Sequence, residues 1–267
     1  MWGALLVLGS VLLAACDANV SLLPEDAASA SPSAGEGEPA AGLGAPTSFE
    51  AEANPFVIRL RWIPPIGEVE EYNLYRDGNL VRTVGGTETS FTDDTVSPGK
   101  RYEYEIEAVS GDATSTRASV GAKTPTPALR QARLEGVFNV KVKEQSSYGY
   151  ERNPGRVTMG WEFKPSCKSG PCKVRWQDTT YKGLKSTLTR KGRSYRGSDS
   201  ATLNVRCGST VTVSQVEVNF RVTKARAIGD EWRAIRFTGT MKRSEASQLG
   251  CVSSGGTYSI SGKLLSA

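Results

Sequence analysis

Arg101-Tyr102-Glu103-Tyr104-Glu105-Ile106-Glu107-Ala108 is the stretch that decides the fold. Tyr102, Tyr104, Ile106 and Ala108 point one way and Glu103, Glu105 and Glu107 the other, the period of two that belongs to a strand with one buried face. Working outward, Ile58, Leu60 and Trp62 share a face in the same manner, and Pro64-Pro65 ends that run because proline donates nothing to a ladder. Tyr72 and Leu74 supply a further inward face before a turn at Arg76-Asp77-Gly78-Asn79. On the C-terminal side the alternation resumes at Leu134, Gly136, Phe138, Val140 and Val142, then at Val157, Met159, Trp161 and Phe163. It recurs at Ile235, Phe237, Gly239 and Met241 and at Tyr258, Ile260, Gly262 and Leu264. No segment sustains a helical period, so the chain is expected to be all-β.

The strand spacing from Pro46 to Pro127, the Trp62 position and Pro98-Gly99-Lys100-Arg101-Tyr102 resemble a fibronectin type III domain, assigned here to residues 47–126. The resemblance implies a β-sandwich, with Trp62 in its core and the Tyr102 phenol bonded back to the backbone as a tyrosine corner. The adhesion tripeptide Arg-Gly-Asp, found in some such modules, is missing: Ser110-Gly111-Asp112-Ala113 lacks the arginine and Arg76-Asp77-Gly78 has the wrong order. The module therefore reads as a spacer or a general interaction surface. Its glutamate row reads as a solvated face.

Residues 128–267 are expected to form a second antiparallel β domain, an up-and-down barrel or a sandwich. Within it Val211 and Val213 are odd while Val216, Val218, Phe220 and Val222 are even, which predicts a β-bulge at Ser214-Gln215. The opening Leu134-Glu135-Gly136-Val137-Phe138 and the closing Tyr258-Ser259-Ile260-Ser261-Gly262 resemble lipocalin-like barrels, whose first and last strands pair.

At the other end, Ala4 to Ala15 is apolar for twelve residues, short of the roughly 20 that cross a bilayer as a helix. It closes on Val11-Leu12-Leu13-Ala14-Ala15-Cys16, which resembles the lipobox of bacterial lipoprotein precursors. That resemblance implies a signal peptide at 1–15 and a diacylglyceryl thioether on Cys16. It also implies a protein anchored to the cell membrane on its extracytoplasmic face, with two acyl chains giving stable attachment. Residues 16–46, rich in Ala, Gly, Pro, Ser and Glu, read as a disordered linker behind the lipidated cysteine.

Setting Cys16 aside leaves Cys167, Cys172, Cys207 and Cys251, an even number in an exported chain, which reads as a disulfide framework. Of three pairings, Cys167 with Cys172 and Cys207 with Cys251 are favoured. Zinc is disfavoured by the spacing and by the absence of histidine. That absence also removes the histidine-based triads and dyads, no phosphate-binding glycine loop occurs, and no carboxylates are paired by spacing. The chain is expected to be non-enzymatic and free of cofactors.

Charge is unevenly spread. Residues 1–46 hold five acids and no base, and residues 47–126 hold 8 basic and 13 acidic groups. Residues 127–267 hold 25 basic and 10 acidic groups. The densest cationic run is Lys182, Lys185, Arg190, Lys191, Arg193 and Arg196, interleaved with Tyr181 and Tyr195. Cations neutralise a polyanion and aromatic faces stack on its sugars or bases, so this run is the candidate contact with an anionic envelope polymer or a protein partner. Nucleic acid is the less favoured ligand. An alternative places a small apolar ligand inside the last domain, against Trp161, Trp176 and Phe220.

Overall fold

The computed structural model describes residues 42–149, 156–180, 184–207, 210–245 and 254–266. The signal segment, Cys16 and nearly all of the linker lie outside them, as do Tyr181, Lys182 and Cys251. Two all-β domains are present, each with its own apolar core.

The first domain is a sandwich of two antiparallel sheets. One holds β1 (Thr47–Asn54), β2 (Val57–Ile63) and β5 (Ser90–Asp93) in the order β1-β2-β5. The other runs β4 (Asn79–Gly85), β3 (Glu71–Arg76), β6 (Arg101–Ser110) and β7 (Ala113–Thr114), with β8 (Ala118–Lys123) also paired to β6. The inward residues are those the alternation named: Ile58, Leu60, Tyr72, Leu74, Tyr104, Ile106 and Ala108 are fully buried. Trp62 meets Tyr72 edge-on, with ring centroids 5.3 Å apart. The backbone N–H of Ser97 donates to the Tyr102 phenol oxygen at 2.8 Å, forming the expected tyrosine corner.

A polar clasp crosses the sandwich. Asp93 of β5 is buried and accepts from Arg76 Nη1 of β3 at 2.6 Å and from the Tyr104 hydroxyl of β6 at 2.7 Å. Its other oxygen accepts from the Thr95 backbone N–H at 2.9 Å and the Thr95 hydroxyl at 2.7 Å. Four donors around one carboxylate offset its desolvation, which is the condition for keeping a buried charge.

The glutamate row is only partly a solvated face. Glu103 is exposed, but Arg117 bonds Glu107 at 2.9 Å and Glu105 at 3.3 Å, and Tyr75 donates to Glu107 at 2.6 Å. The Arg117 guanidinium also lies 3.7 Å from the Tyr75 ring centroid. An arginine displayed from the Thr116-Arg117 approach to β8 thus neutralises two of the three acids.

The second domain is a closed up-and-down barrel. Its strands are β9 (Gly136–Tyr148), β10 (Arg156–Pro165), β11 (Val174–Asp178), β12 (Lys185–Lys191), β13 (Ser194–Cys207), β14 (Thr210–Ile228), β15 (Glu231–Glu245) and β16 (Ser254–Ser266). Each pairs with its successor and β16 returns to β9, so of the two expected architectures the barrel is the one adopted. Eight strands leave an interior just wide enough for side chains. Here Phe138, Trp161, Phe163, Trp176, Tyr195, Phe220 and Phe237 fill it, with neighbouring centroids 4.4 to 6.4 Å apart. Gly239 and Gly262 make room for them: a Cβ on Gly262 would sit 2.1 Å from the Phe237 ring.

The bulge expected at Ser214-Gln215 is not there. Ser214 and Gln215 pair without a break to Ala201 and Ser200 on β13 and to Glu245 and Ser244 on β15. The register shifts instead on β13, between Leu203 and Arg206. The inward even phase of β14 runs on through Ser214, whose buried hydroxyl accepts from Arg243 Nε at 2.9 Å. A polar residue at an inward position disguised the phase.

Candidate polyanion-binding face

Antiparallel pairing places directly opposed residues on the same side of a sheet, so the barrel's outer surface follows from its register. One outward row crosses seven strands: Thr189, Arg196, Asn219, Thr240, Ser259, Lys143 and Arg156. The next row is Lys191, Ser194, Arg221, Thr238, Ser261, Lys141 and Thr158. Below it, Arg236 opposes Lys263, which opposes Asn139.

The two rows share a pattern. Hydroxyl and amide side chains occupy β15 and β16 at the centre, and cations rise from β13 and β14 on one side and from β9 and β10 on the other. The result is a shallow trough of about 720 Å³, lined among others by Lys141, Lys143, Arg156, Arg221, Thr238 and Ser261. A second hollow of about 570 Å³ continues it past Arg236 and Lys263. No carboxylate lines either hollow among the described residues. Glu217, opposite Lys242, marks the border.

The cations of this face are exposed, and none of Lys141, Lys143, Arg156, Arg221, Arg236 and Lys263 makes an ion pair among the described residues. Three arginines elsewhere in the barrel are paired. Arg133 bonds Glu135 at 2.6 Å, Arg233 bonds Glu135 at 2.9 Å, and Arg243 bonds Glu245 at 2.5 Å. Burial alone would raise the Glu135 carboxyl, but the hydrogen bond from Arg133 and the charge of Arg233 outweigh it and hold it below the usual range.

The contiguous run singled out in the sequence divides in the fold. Lys185, Lys191, Arg193 and Arg196 are exposed on β12, β13 and their connecting turn, and Lys191 and Arg196 extend the two rows above. Tyr195 does not face solvent: it is 1% exposed and stacks on Phe220 at 5.6 Å inside the barrel. Burial pushes its phenol up. Its ring therefore offers no platform for an external polymer.

Arg190 is likewise turned away. Its guanidinium bonds the Arg130 carbonyl and lies 5.9 Å from the Tyr195 ring. The reason is the tight Gly192-Arg193 hairpin, which sets Arg190 opposite Tyr195, so the two share the inward side with Leu188. The signal was available: Leu188 and Arg190 have the same parity. Lys182 and Tyr181 lie outside the described residues. The face itself was missed in the sequence, because its cations come from strands as far apart in the chain as those of Lys141 and Lys263.

Cys167 and Cys172 are joined in a disulfide, with Cα atoms 6.2 Å apart. Arg133, 7% exposed, donates through Nη2 to the Cys167 carbonyl at 2.9 Å and through Nη1 to the Gly170 carbonyl at 3.2 Å. It thereby fixes the disulfide loop to the segment entering the barrel. The expected Cys207–Cys251 bond falls on side chains outside the described residues. The aromatic packing also fills the space that the apolar-ligand reading required, since Trp161, Trp176 and Phe220 touch one another or their neighbours rather than lining a void.

Residues 44–121 match the family model for the fibronectin type III domain. The chain is 38% identical to usherin of Mus musculus over 65 residues, 23% of this chain and 1% of that protein. It is 36% identical to usherin of Homo sapiens over 75 residues, 27% of this chain and 1% of that protein. The chain thus spans about 1% of the length of the curated relatives it matches. Among solved structures, the central fibronectin-III array of RIM-binding protein aligns with a TM-score of 0.27 at 13% identity, covering 79% of this chain and 98% of that one. The first domain is a fibronectin type III module, a kind that is generally non-catalytic and mediates protein–protein contacts.

Proposed function

We propose that this chain is a non-enzymatic binding protein of the cell envelope, held by a lipid on Cys16 at the extracytoplasmic face of the membrane. Its fibronectin type III module serves as spacer and protein-contact surface, and its barrel binds an anionic envelope polymer. The observation that carries the polymer reading is the outer face of β14, β15, β16, β9 and β10, where, among the described residues, six cations without an ion pair surround a floor of small polar side chains and no carboxylate lines the hollows. Such a face neutralises charges along a chain and gains from the counterions released. The composition of residues 127–267, 25 basic to 10 acidic, supplies a field of the same sign around it.

The test is co-sedimentation of the full chain bearing Cys16→Ala, so that no lipid contributes, with cell envelopes, intact or stripped of anionic polymer, over a salt series. Retention that falls with salt and with stripping supports the reading. Retention indifferent to both sinks it and moves the search to a protein ligand of the first module. The anchor is tested separately: labelled fatty acid is expected to enter the native chain and not a Cys16→Ala variant.

A further inference from the structure

The trough says more about its ligand than the sign of the charge. Its floor is made of Thr238, Thr240, Ser259 and Ser261, with Asn219 beside them, all small or medium polar groups. Thr238, Thr240, Ser261 and Asn219 make no side-chain hydrogen bond among the described residues, so their donors and acceptors are open to a ligand. Thr240 directly opposes Ser259, and Thr238 directly opposes Ser261. Among the described residues no aromatic ring stands on this floor. The rings of Phe220 and Phe237 belong to the core and are at most 2% exposed.

That combination separates two classes of polyanion. Single-stranded nucleic acid is held by basic grooves that also present aromatic platforms, each stacked base contributing roughly 1–3 kcal/mol. The trough has the groove and lacks the platforms. A polyol phosphate chain has no flat base to stack. It offers free hydroxyls and phosphate oxygens at short intervals, which suit a hydroxyl floor between cationic walls.

The dimensions agree. From Arg221 on β14 to Lys141 on β9 the sheet spans three inter-strand steps, roughly 14 Å, a gap that one extended chain fills within reach of the long side chains on both sides. Along the strands successive outward residues such as Lys141 and Lys143, or Thr238 and Thr240, are roughly 6.8 Å apart. Small floor residues let the ligand sit low enough for its phosphates to meet the walls.

Building on the polyanion reading above, we infer that the face formed by β14, β15, β16, β9 and β10 recognises a phosphodiester-linked polyol chain. Arg221, Lys141, Lys143 and Arg156 hold its phosphates, and Thr238, Thr240 and Ser261 bond its hydroxyls. Calorimetric titration of the purified full chain bearing Cys16→Ala, which carries no lipid and needs no detergent, tests this with three probes: a poly(glycerol phosphate) oligomer, an oligothymidylate of equal charge, and phosphatidylglycerol vesicles.

The oligomer is expected to bind at least about tenfold tighter than the oligothymidylate, the worth of one or two hydrogen bonds. A Thr238→Val, Thr240→Val, Ser261→Ala variant is expected to erase that margin and leave the oligothymidylate unchanged. An Arg221→Gln, Lys141→Gln variant weakens both, whereas Arg175→Gln, on another side of the barrel, changes neither. Equal affinity for the two polymers, or a margin untouched by the floor variant, overturns the polyol assignment and leaves the polyanion reading standing. Tighter binding to vesicles at equal phosphate overturns it in favour of a lipid surface. Failure of all three probes while the protein still sediments with envelopes overturns it in favour of a different envelope component.

Discussion

Replacing Asp93 by alanine removes the one acceptor shared by Arg76, Tyr104 and Thr95. Tyr104 is fully buried, so its hydroxyl loses its partner where water does not replace it. Arg76 keeps only its bond to Thr95 Oγ1 at 2.8 Å. Breaking a buried ion pair from one side costs about 3–5 kcal/mol, and the partial exposure of Arg76, 23%, puts this case at about 3. In a domain of this size such a loss lowers the melting midpoint by roughly 12–24 °C. Asp93→Asn is expected to cost about half as much: its carbonyl still accepts from Thr95, while its NH2 faces the Arg76 donors.

Burial alone would raise the Asp93 carboxyl, but hydrogen bonds from Thr95, Tyr104 and Arg76 outweigh it and hold it below the usual carboxylate range. A carboxyl lowered in the folded state contributes stability that is present above the unfolded value, about 3.9, and lost as pH falls through the folded one. The gap between native and Asp93→Asn protein is therefore constant near neutrality and shrinks below about pH 4. Scanning calorimetry reads both effects, with the barrel transition as internal control. A shift of less than about 4 °C for Asp93→Ala, or a gap that is unchanged on acidification, refutes the clasp.

Two further variants probe the barrel. Gly262→Ala brings a methyl against the Phe237 ring, which packs between Phe138, Trp161, Phe163 and Phe220. Overpacking at such a site costs about 1–3 kcal/mol, and a melting midpoint within 1 °C of the native one, roughly, excludes the close approach. The double variant Cys167→Ser, Cys172→Ser opens a short loop, worth about 2 kcal/mol in the chain-entropy model. Adding Arg133→Ala is expected to cost more than the two changes separately, since either link alone still restrains the loop; strict additivity in denaturant unfolding counts against that coupling.

The period of two in Tyr102 to Ala108, and in the strands around it, named most core residues of both domains, because burial of one face leaves that mark on each strand singly; Val174, Trp176, Leu188 and Tyr195, on the short strands β11 and β12 and the start of β13, escaped it. Barrel closure was not legible in the same way. It depends on β16 meeting β9, a pairing between residues such as Ile260 and Val142 that alternation does not record; only the resemblance of the opening and closing motifs to lipocalin-like barrels pointed to it. The candidate face was hidden for the same reason. A contiguous reading favoured Lys182 to Arg196, where the charges are dense along the chain, yet a hairpin turns Arg190 and Tyr195 inward. Lys143, Arg221 and Lys263 stand among ordinary alternating residues, and only the register brings them to one surface. Ser214 shows the converse limit: a buried hydroxyl bonded to Arg243 interrupts the apolar code without interrupting the strand.

The most direct test of the barrel's role is the salt dependence of its affinity for isolated anionic envelope polymer. If the six cations of the face each engage one charge, the logarithm of affinity falls with the logarithm of salt at a slope of about −4, roughly a 300-fold loss between 50 and 200 mM. Lys141→Gln with Arg221→Gln is expected to reduce that slope to about −3, whereas Lys185→Gln with Arg193→Gln, taken from the contiguous run, leaves it near −4, to within about half a unit. A slope lowered by the second pair and not by the first contradicts the assignment of the face.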